Sequence, residues 1–152
     1  DSFQAKLHHV KPHGALYNMA ARDASFAHTI VQAVKDEDEN LILYGLSGSF
    51  LISEAKATGL KTASEVFADR TYQDDGSLTP RAQSNAHIDE VSKCVEQVLQ
   101  MITQQSVTSI NNQVVPIVAE TICIHGDGKN AIAFATAIYQ SLRKNHIDIK
   151  AM

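Results

Sequence analysis

About four times along the 152-residue chain, a short run of β-compatible residues meets a small or polar turn and then apolar residues at helical spacing. A strand that is regularly followed by a helix returns parallel to its predecessor, so this alternation predicts an α/β chain with a mostly parallel sheet. Residues 7–11 form the first strand-like run, punctuated by Pro12 and Gly14 into a loop. Asp23 is placed to cap a helix in which Phe26, Ala27, Ile30, Val31 and Val34 recur at spacings of three and four, and the acidic run 36–39 ends it. Residues 41–44 then read as a buried strand. The small residues 45–49 turn the chain into a short helix carrying Phe50, Leu51, Ala55 and Ala57, which Gly59 closes.

The next strand covers 62–68 and ends on Asp69-Arg70, and a connection running to His87 follows, with a polar turn at 73–77. Connections of that length inside compact domains are often functional. Ile88, Val91, Val95, Val98, Leu99 and Ile102 mark one face of an amphipathic helix. The stretch 107–118, interrupted by Asn111-Asn112 and Pro116, reads either as an edge strand or as a short insertion. Residues 121–124 are expected as a buried strand, 131–142 as a helix and 147–149 as one more strand.

Composition narrows the function classes. With 44% hydrophobic and 20% charged residues the chain has enough apolar material for a core, and its length suits one domain over 1–152. Thirteen Lys+Arg against 17 Asp+Glu give a net charge of −4 with no extended basic cluster, which excludes a broad nucleic-acid surface. Cys94 and Cys123 make neither a disulfide framework nor a Cys-based zinc site, and fit a reducing cytoplasm. No uncharged apolar stretch approaches the roughly 20 residues that span a bilayer, and the polar start Asp1-Ser2-Phe3-Gln4 is not a signal peptide. A chain that opens without Met almost directly on a strand is expected to be an internal or truncated piece.

The polar clusters fall just past strands, where α/β folds build their sites. Lys11-Pro12-His13-Gly14 offers a cation and an imidazole; the plain alternative is that His13 bonds the turn and Lys11 is solvated. Glu65 and Asp69, four apart, fall on one side of an extended chain, and a carboxylate facing the centre of a sheet must be paired or ligand-bound. The structural alternative is an ion pair of Asp69 with Arg70 or Lys11. Arg81 could clamp a carboxylate or phosphate, or lie on the surface. His125-Gly126-Asp127-Gly128 joins a strand to a helix start where an anion is favoured, and Asp127 could equally be a helix cap. Tyr17 and Tyr72 are polar wall groups or packing residues. The seven histidines match no standard metal site, so no metal is assigned.

Three stretches in order, His9-Val10-Lys11-Pro12-His13-Gly14-Ala15-Leu16-Tyr17-Asn18, then Glu65-Val66-Phe67-Ala68-Asp69-Arg70-Thr71-Tyr72 with Asp75-Gly76-Ser77-Leu78, then Cys123-Ile124-His125-Gly126-Asp127, resemble the LamB/YcsF family. Gly45-Leu46-Ser47-Gly48-Ser49 and Pro80-Arg81 look like its intervening segments. The resemblance implies a partial (β/α) barrel of the glycoside hydrolase/deacetylase type, with about four or five parallel strands and flanking helices. It also implies that the chain corresponds to the C-terminal part of a larger barrel, without the family's N-terminal third and its acidic first-strand motif. The implied activity is the ATP-dependent opening of 5-oxoproline to glutamate by a 5-oxoprolinase, with ATP as co-substrate and subunits B and C as partners. His13, Asp69, His125 and Asp127 then become catalytic candidates and Lys11, Arg70 and Arg81 substrate-binding ones, all expected in one pocket. The chain alone is expected to be inactive, and its open sheet edge to favour self-association. The rival classes are a metal-dependent deacetylase or sugar hydrolase and a non-catalytic interaction module.

Overall fold

A computed structural model of the protein describes residues 6–151, so the start at Asp1 to Gln4 lies outside the described residues. The chain divides into two compact units, Asp1–Glu65 and Val66–Met152.

In the first unit, β1 (His9–Val10), α1 (Gly14–Arg22), α2 (Ala24–Glu37), β2 (Ile42–Leu46), α3 (Phe50–Ala57) and β3 (Lys61–Phe67, which runs on into the second unit) follow one another. β1 pairs parallel with β2 through His9↔Ile42 and Val10↔Leu43, and β2 pairs parallel with β3 from Ile42↔Lys61 to Leu46↔Glu65. Asp23 separates two helices chemically: its N–H closes α1 on the Met19 carbonyl at 3.1 Å, and its side chain accepts from the Phe26 N–H at 2.9 Å to start α2. The apolar stripe predicted for α2 is real, with Ala27, Val31 and Val34 buried against Leu41 and Leu43.

α3 ends as its glycine predicts. Gly59 takes φ +83°, which lets the Leu60 N–H reach back to the Ala55 carbonyl at 3.0 Å and the Gly59 N–H to Lys56 at 3.1 Å. Lys35 adds its ammonium to the Thr58 carbonyl at 2.7 Å, a cation at the negative end of a helix.

α1 is a correction, since residues 12–22 carry no helix in the sequence reading. Gly14, at φ +60°, admits a sharp entry into a helix whose Tyr17 and Ala20 are buried three apart. Pro12 and Gly14 punctuate the chain, but they begin a helix there and not only a loop.

The second unit holds α4 (Val91–Thr103), β4 (Ser106–Thr108), β5 (Val114–Pro116), β6 (Thr121–Cys123) and α5 (Ala131–Lys144). Beyond β3, the Ala68 N–H donates to the Cys123 carbonyl at 3.0 Å, and the sheet order is β1-β2-β3-β6. α4 buries Cys94, Val98 and Met101, α5 buries Phe134, Ile138 and Leu142, and these helices pack on each other. The ambiguous stretch resolves into an antiparallel hairpin, β4 with β5, registered Ser106↔Pro116 to Thr108↔Val114. Asn112, at φ +61°, makes its turn, a role asparagine tolerates well. β6 is half-buried throughout, where a buried strand was expected. No strand forms at 147–149. Ile147 is consumed by the end of α5: its N–H bonds the Leu142 carbonyl at 2.9 Å while His146 takes φ +58°.

Candidate functional site

Lys11 follows β1 directly, and Glu65 stands opposite Leu46 at the end of the β2–β3 pairing. Glu65 is 3% exposed, so its charge needs partners. Lys11 Nζ donates to Oε1 at 2.5 Å and the Tyr17 hydroxyl to Oε2 at 2.8 Å. Tyr17 comes from α1 and is itself 4% exposed, and Lys11 Nζ lies 5.7 Å from its ring centroid. The expectation of a paired or ligand-bound Glu65 is thereby answered with named partners. His13 stands exposed at the N-cap of α1, where its side chain makes no capping bond. Sequence reasoning weighed Tyr17 as a wall group and missed its bond to Glu65. The signal available was the need of a buried carboxylate for a second donor.

In the second unit Asp69, just past β3, and His125, just past β6, form an oriented pair. His125 Nδ1 lies 2.8 Å from Asp69 Oδ2 and 3.0 Å from Oδ1, and the His125 backbone N–H donates to Oδ2 at 3.2 Å. On the other edge of the ring, an Arg81 guanidinium nitrogen lies 2.9 Å from Nε2. Arginine has no acceptor and an ionised carboxylate no donor, so these contacts assign the tautomer: Nδ1 carries the proton and donates to Asp69, while Nε2 accepts from Arg81. Phe67 stacks on the imidazole at 5.6 Å between centroids and limits its tilt. A carboxylate-held imidazole with a basic Nε2 is the arrangement of a general base.

Asp69 therefore pairs with His125, where the structural alternative had offered Arg70 or Lys11. Arg70 is 4% exposed and its guanidinium is spent on backbone: Nε donates to the Ala86 carbonyl at 3.0 Å and Nη2 to that of Thr79 at 2.5 Å. Burial, then the nearby Arg81 charge, pull Arg70 below its usual pKa. Gln97, which no sequence signal marked, donates from α4 to the carbonyls of Phe67 at 3.0 Å and Arg70 at 2.9 Å. It clamps the backbone on both sides of Asp69.

Asp127 is exposed in the turn after His125 and is not the helix cap considered for it. The N-cap position of α5 belongs to Asn130, whose side chain instead donates to the Asp89 carbonyl at 2.8 Å. Among the described residues, no group of three His, Cys, Asp or Glu side chains is placed to hold a metal ion. No helix among them is long and apolar enough to cross a membrane.

The model of the LamB/YcsF family matches residues 1–152. The chain belongs to the LamB/YcsF family. Among relatives in it, the A subunit of 5-oxoprolinase from Tolumonas auensis is 55% identical over 146 residues, covering 96% of this chain and 58% of that protein. The corresponding A subunit from Bordetella parapertussis is 54% identical over 147 residues, covering 97% of this chain and 58% of that protein. That of Staphylococcus aureus is 52% identical over 149 residues, covering 98% of this chain and 60% of that protein. A solved structure of the lactam utilization protein from Thermus thermophilus superposes with a TM-score of 0.88 at 34% identity, over 99% of this chain and 60% of that one. The chain thus spans about three fifths of the length of these LamB/YcsF proteins. The likeness supports the fold expected from sequence, parallel strands with flanking helices.

Proposed function

We propose that this chain is part of the A subunit of a 5-oxoprolinase, which opens 5-oxoproline to glutamate with ATP as co-substrate and B and C subunits as partners, in the cytoplasm. The carrying observation is the Asp69–His125–Arg81 arrangement, an imidazole base held by a carboxylate and faced by a guanidinium. The names of the relatives supply the substrate class.

A lactam carbonyl is a poor electrophile because the ring nitrogen donates into it. Phosphoryl transfer from ATP to the carbonyl oxygen removes that protection. Water then adds to the carbon as its proton passes to His125 Nε2, the C–N bond breaks with the proton delivered to nitrogen, and the acyl phosphate left behind is hydrolysed to glutamate and inorganic phosphate. Asp69 stabilises the imidazolium formed on the way. Arg81 leaves Nε2 to take the substrate carboxylate, for which its planar fork is suited. Lys11 donates to substrate oxygen, and His13 and Asp127 are the exposed groups offered for proton transfer at the strand ends. Arg70 acts by bracing the segment that carries Arg81, because its own donors are engaged on carbonyls.

The test follows glutamate release from 5-oxoproline by the full-length protein mixed with B and C subunits, with and without ATP. ATP-dependent glutamate is expected, and the chain of residues 1–152 in its place is expected to give none. Absence of ATP-dependent glutamate from the full-length mixture overturns the proposal.

A further inference from the structure

Gln97 is a polar side chain on the flank of an apolar helix face. α4 buries Cys94, Val98 and Met101, and Gln97 stands beside them, half-buried. Its side-chain nitrogen lies 3.0 Å from the Phe67 carbonyl oxygen, 3.4 Å from that of Ala68 and 2.9 Å from that of Arg70. Carbonyl oxygens only accept, so the atom among them is Nε2 and not Oε1, and the orientation of the amide is settled. Its two N–H bonds serve the two shorter contacts, to Phe67 and Arg70.

Those contacts report a bend in the chain. Along an extended strand carbonyls alternate in direction, so two of them three residues apart point to opposite sides. Phe67 and Arg70 instead aim theirs at one nitrogen, because β3 stops at Phe67 and the chain bends over 68–69. Asp69 sits on that bend, 8% exposed, and its carboxylate meets His125 Nδ1 at 2.8 Å. The Ala68 N–H, on the Cys123 carbonyl at 3.0 Å, and the Asp69 carbonyl, taken by the Ile88 N–H at 3.0 Å, tie the middle of the bend to other segments. Gln97 ties its two ends to each other.

A reacting group misplaced by about 1 Å can lose about 10²-fold in rate, so what holds this bend bears on the base it supports. We propose that Gln97 is a positioning residue: by drawing the Phe67 and Arg70 carbonyls onto one amide it aims the Asp69 carboxylate at His125 Nδ1 and keeps Nε2 the basic edge of the ring. It touches neither substrate nor the reacting atoms. Without its two N–H bonds the bend relaxes, the Asp69–His125 bond lengthens, and the ring populates the tautomer with its proton on Nε2, which cannot take a proton from water. The inference rests on the reading of the protein as a 5-oxoproline-opening enzyme with His125 as its base, and adds the residue that holds that base in its working tautomer.

The experiment compares Gln97→Met with the unchanged full-length protein in two measurements. Methionine keeps the length of the side chain and suits a helix, but has no N–H to donate. Long-range proton–nitrogen NMR spectra of protein labelled with ¹⁵N-histidine, taken at pH 8, tell a protonated ring nitrogen from a bare one, and the His125 signals are identified by their loss in His125→Gln. The unchanged protein is expected to show the proton on Nδ1, and Gln97→Met to show both tautomers. With B and C subunits, kcat toward 5-oxoproline is expected to fall about tenfold or more and KM to change by less than about twofold, since a base acts on the transition state and not on binding. Gln97→Asn, which keeps the amide but withdraws it by one methylene, is expected to act in the same direction and guards against misfolding of the first variant.

Gln100→Met is the control for a general loosening of α4. Gln100 Nε2 donates to the Thr108 hydroxyl at 3.0 Å, so this variant also loses a side-chain bond from the same helix, and it is expected to leave tautomer and kcat unchanged. A lowered melting temperature with the parental tautomer and kcat in both Gln97 variants overturns the proposal, as does an equal change of tautomer in Gln100→Met. A changed tautomer with kcat intact overturns His125 as the base. Failure of the unchanged protein to release glutamate overturns the assigned reaction, and the NMR comparison then still decides whether Gln97 sets the His125 tautomer.

Discussion

His125 is approached through opposite edges of one ring, Asp69 on Nδ1 and Arg81 on Nε2, and that division sets the expected behaviour of its variants. Asp69→Asn keeps the volume but replaces an acceptor-only group by an amide that can donate, so the imidazole is free to adopt the other tautomer. Turnover of the full-length protein with its partners is expected to fall by about 10²- to 10⁴-fold with little change in melting temperature, measured as glutamate release. Unchanged turnover would show that His125 is not the base. The cysteines divide just as sharply. Burial, then the Asp69 charge, push the Cys94 thiol up to about 11, while Cys123 is half-buried. Iodoacetamide at pH 8 is expected to label Cys123 and to spare Cys94 in the native protein, as intact and peptide masses would show. Asp69, Arg81 and His125 were each legible in the sequence as polar residues past strands. Their pairing was not, because 56 residues separate Asp69 from His125 and 44 separate Arg81 from it.

At the scale of elements, local chemistry was the better guide. Asp23, Gly59 and the stripe of α2 act as helix cap, stop and buried face for the reasons their residue types predict. Where two local signals compete, sequence reasoning failed: a glycine at φ +60° opens α1, and Ile147 serves the end of α5 instead of a strand. The joint between β2 and α3 yields a stability prediction. A Cβ at Gly45 would stand 3.1 Å from Leu51 Cδ2 and 3.2 Å from Ile52 Cδ1, and those side chains are only 1% and 5% exposed. With no open space to retreat into, Gly45→Ala is expected to destabilise the protein by about 1–3 kcal/mol in urea unfolding. An alanine variant as stable as the parent would mean that α3 shifts freely over β2.

For the molecule as a whole, acid is the informative stress. Asp74 accepts from the Ser109 hydroxyl and, at 3.0 Å, from the Asn111 side chain, bonds that hold its carboxyl below the usual 3.8. Asp38 and Glu90 are lowered similarly, by Asn40 and by Ser92 with Lys93. A folded-state value below the unfolded one means that the stabilisation is present above the unfolded value and is lost as pH falls through the folded one. Melting temperature is therefore expected to drop as pH is taken from 5 towards 2, and Asp74→Asn to show a smaller drop than the parent. An identical pH dependence would remove Asp74 from the account. β1 and β6 stand at the ends of the strand order, and an uncovered end invites pairing with another copy. Light scattering is expected to show concentration-dependent self-association of the 1–152 chain, and a mass that stays monomeric at all concentrations would count against it.

By itself the sequence determined the alternation of strand and helix, the buried face of α2, the cap at Asp23 and the stop at Gly59, and the family, whereas α4 buries Cys94, Val98 and Met101, of which the expected face held Val98 alone. These depend on periods of two and 3.6 residues and on side-chain bonds that span a few positions, so they are written locally. Only the tertiary structure decided which charge meets which. Lys11 lies nearer in sequence to many groups than to Glu65, 54 residues away, and Asp69 could have taken Arg70 beside it, yet strand register set Glu65 within reach of Lys11 and the β3–β6 neighbourhood set Asp69 against His125. A hydrogen bond acts over about 3 Å, so the choice of partner follows the packing of strands and not the order of the chain.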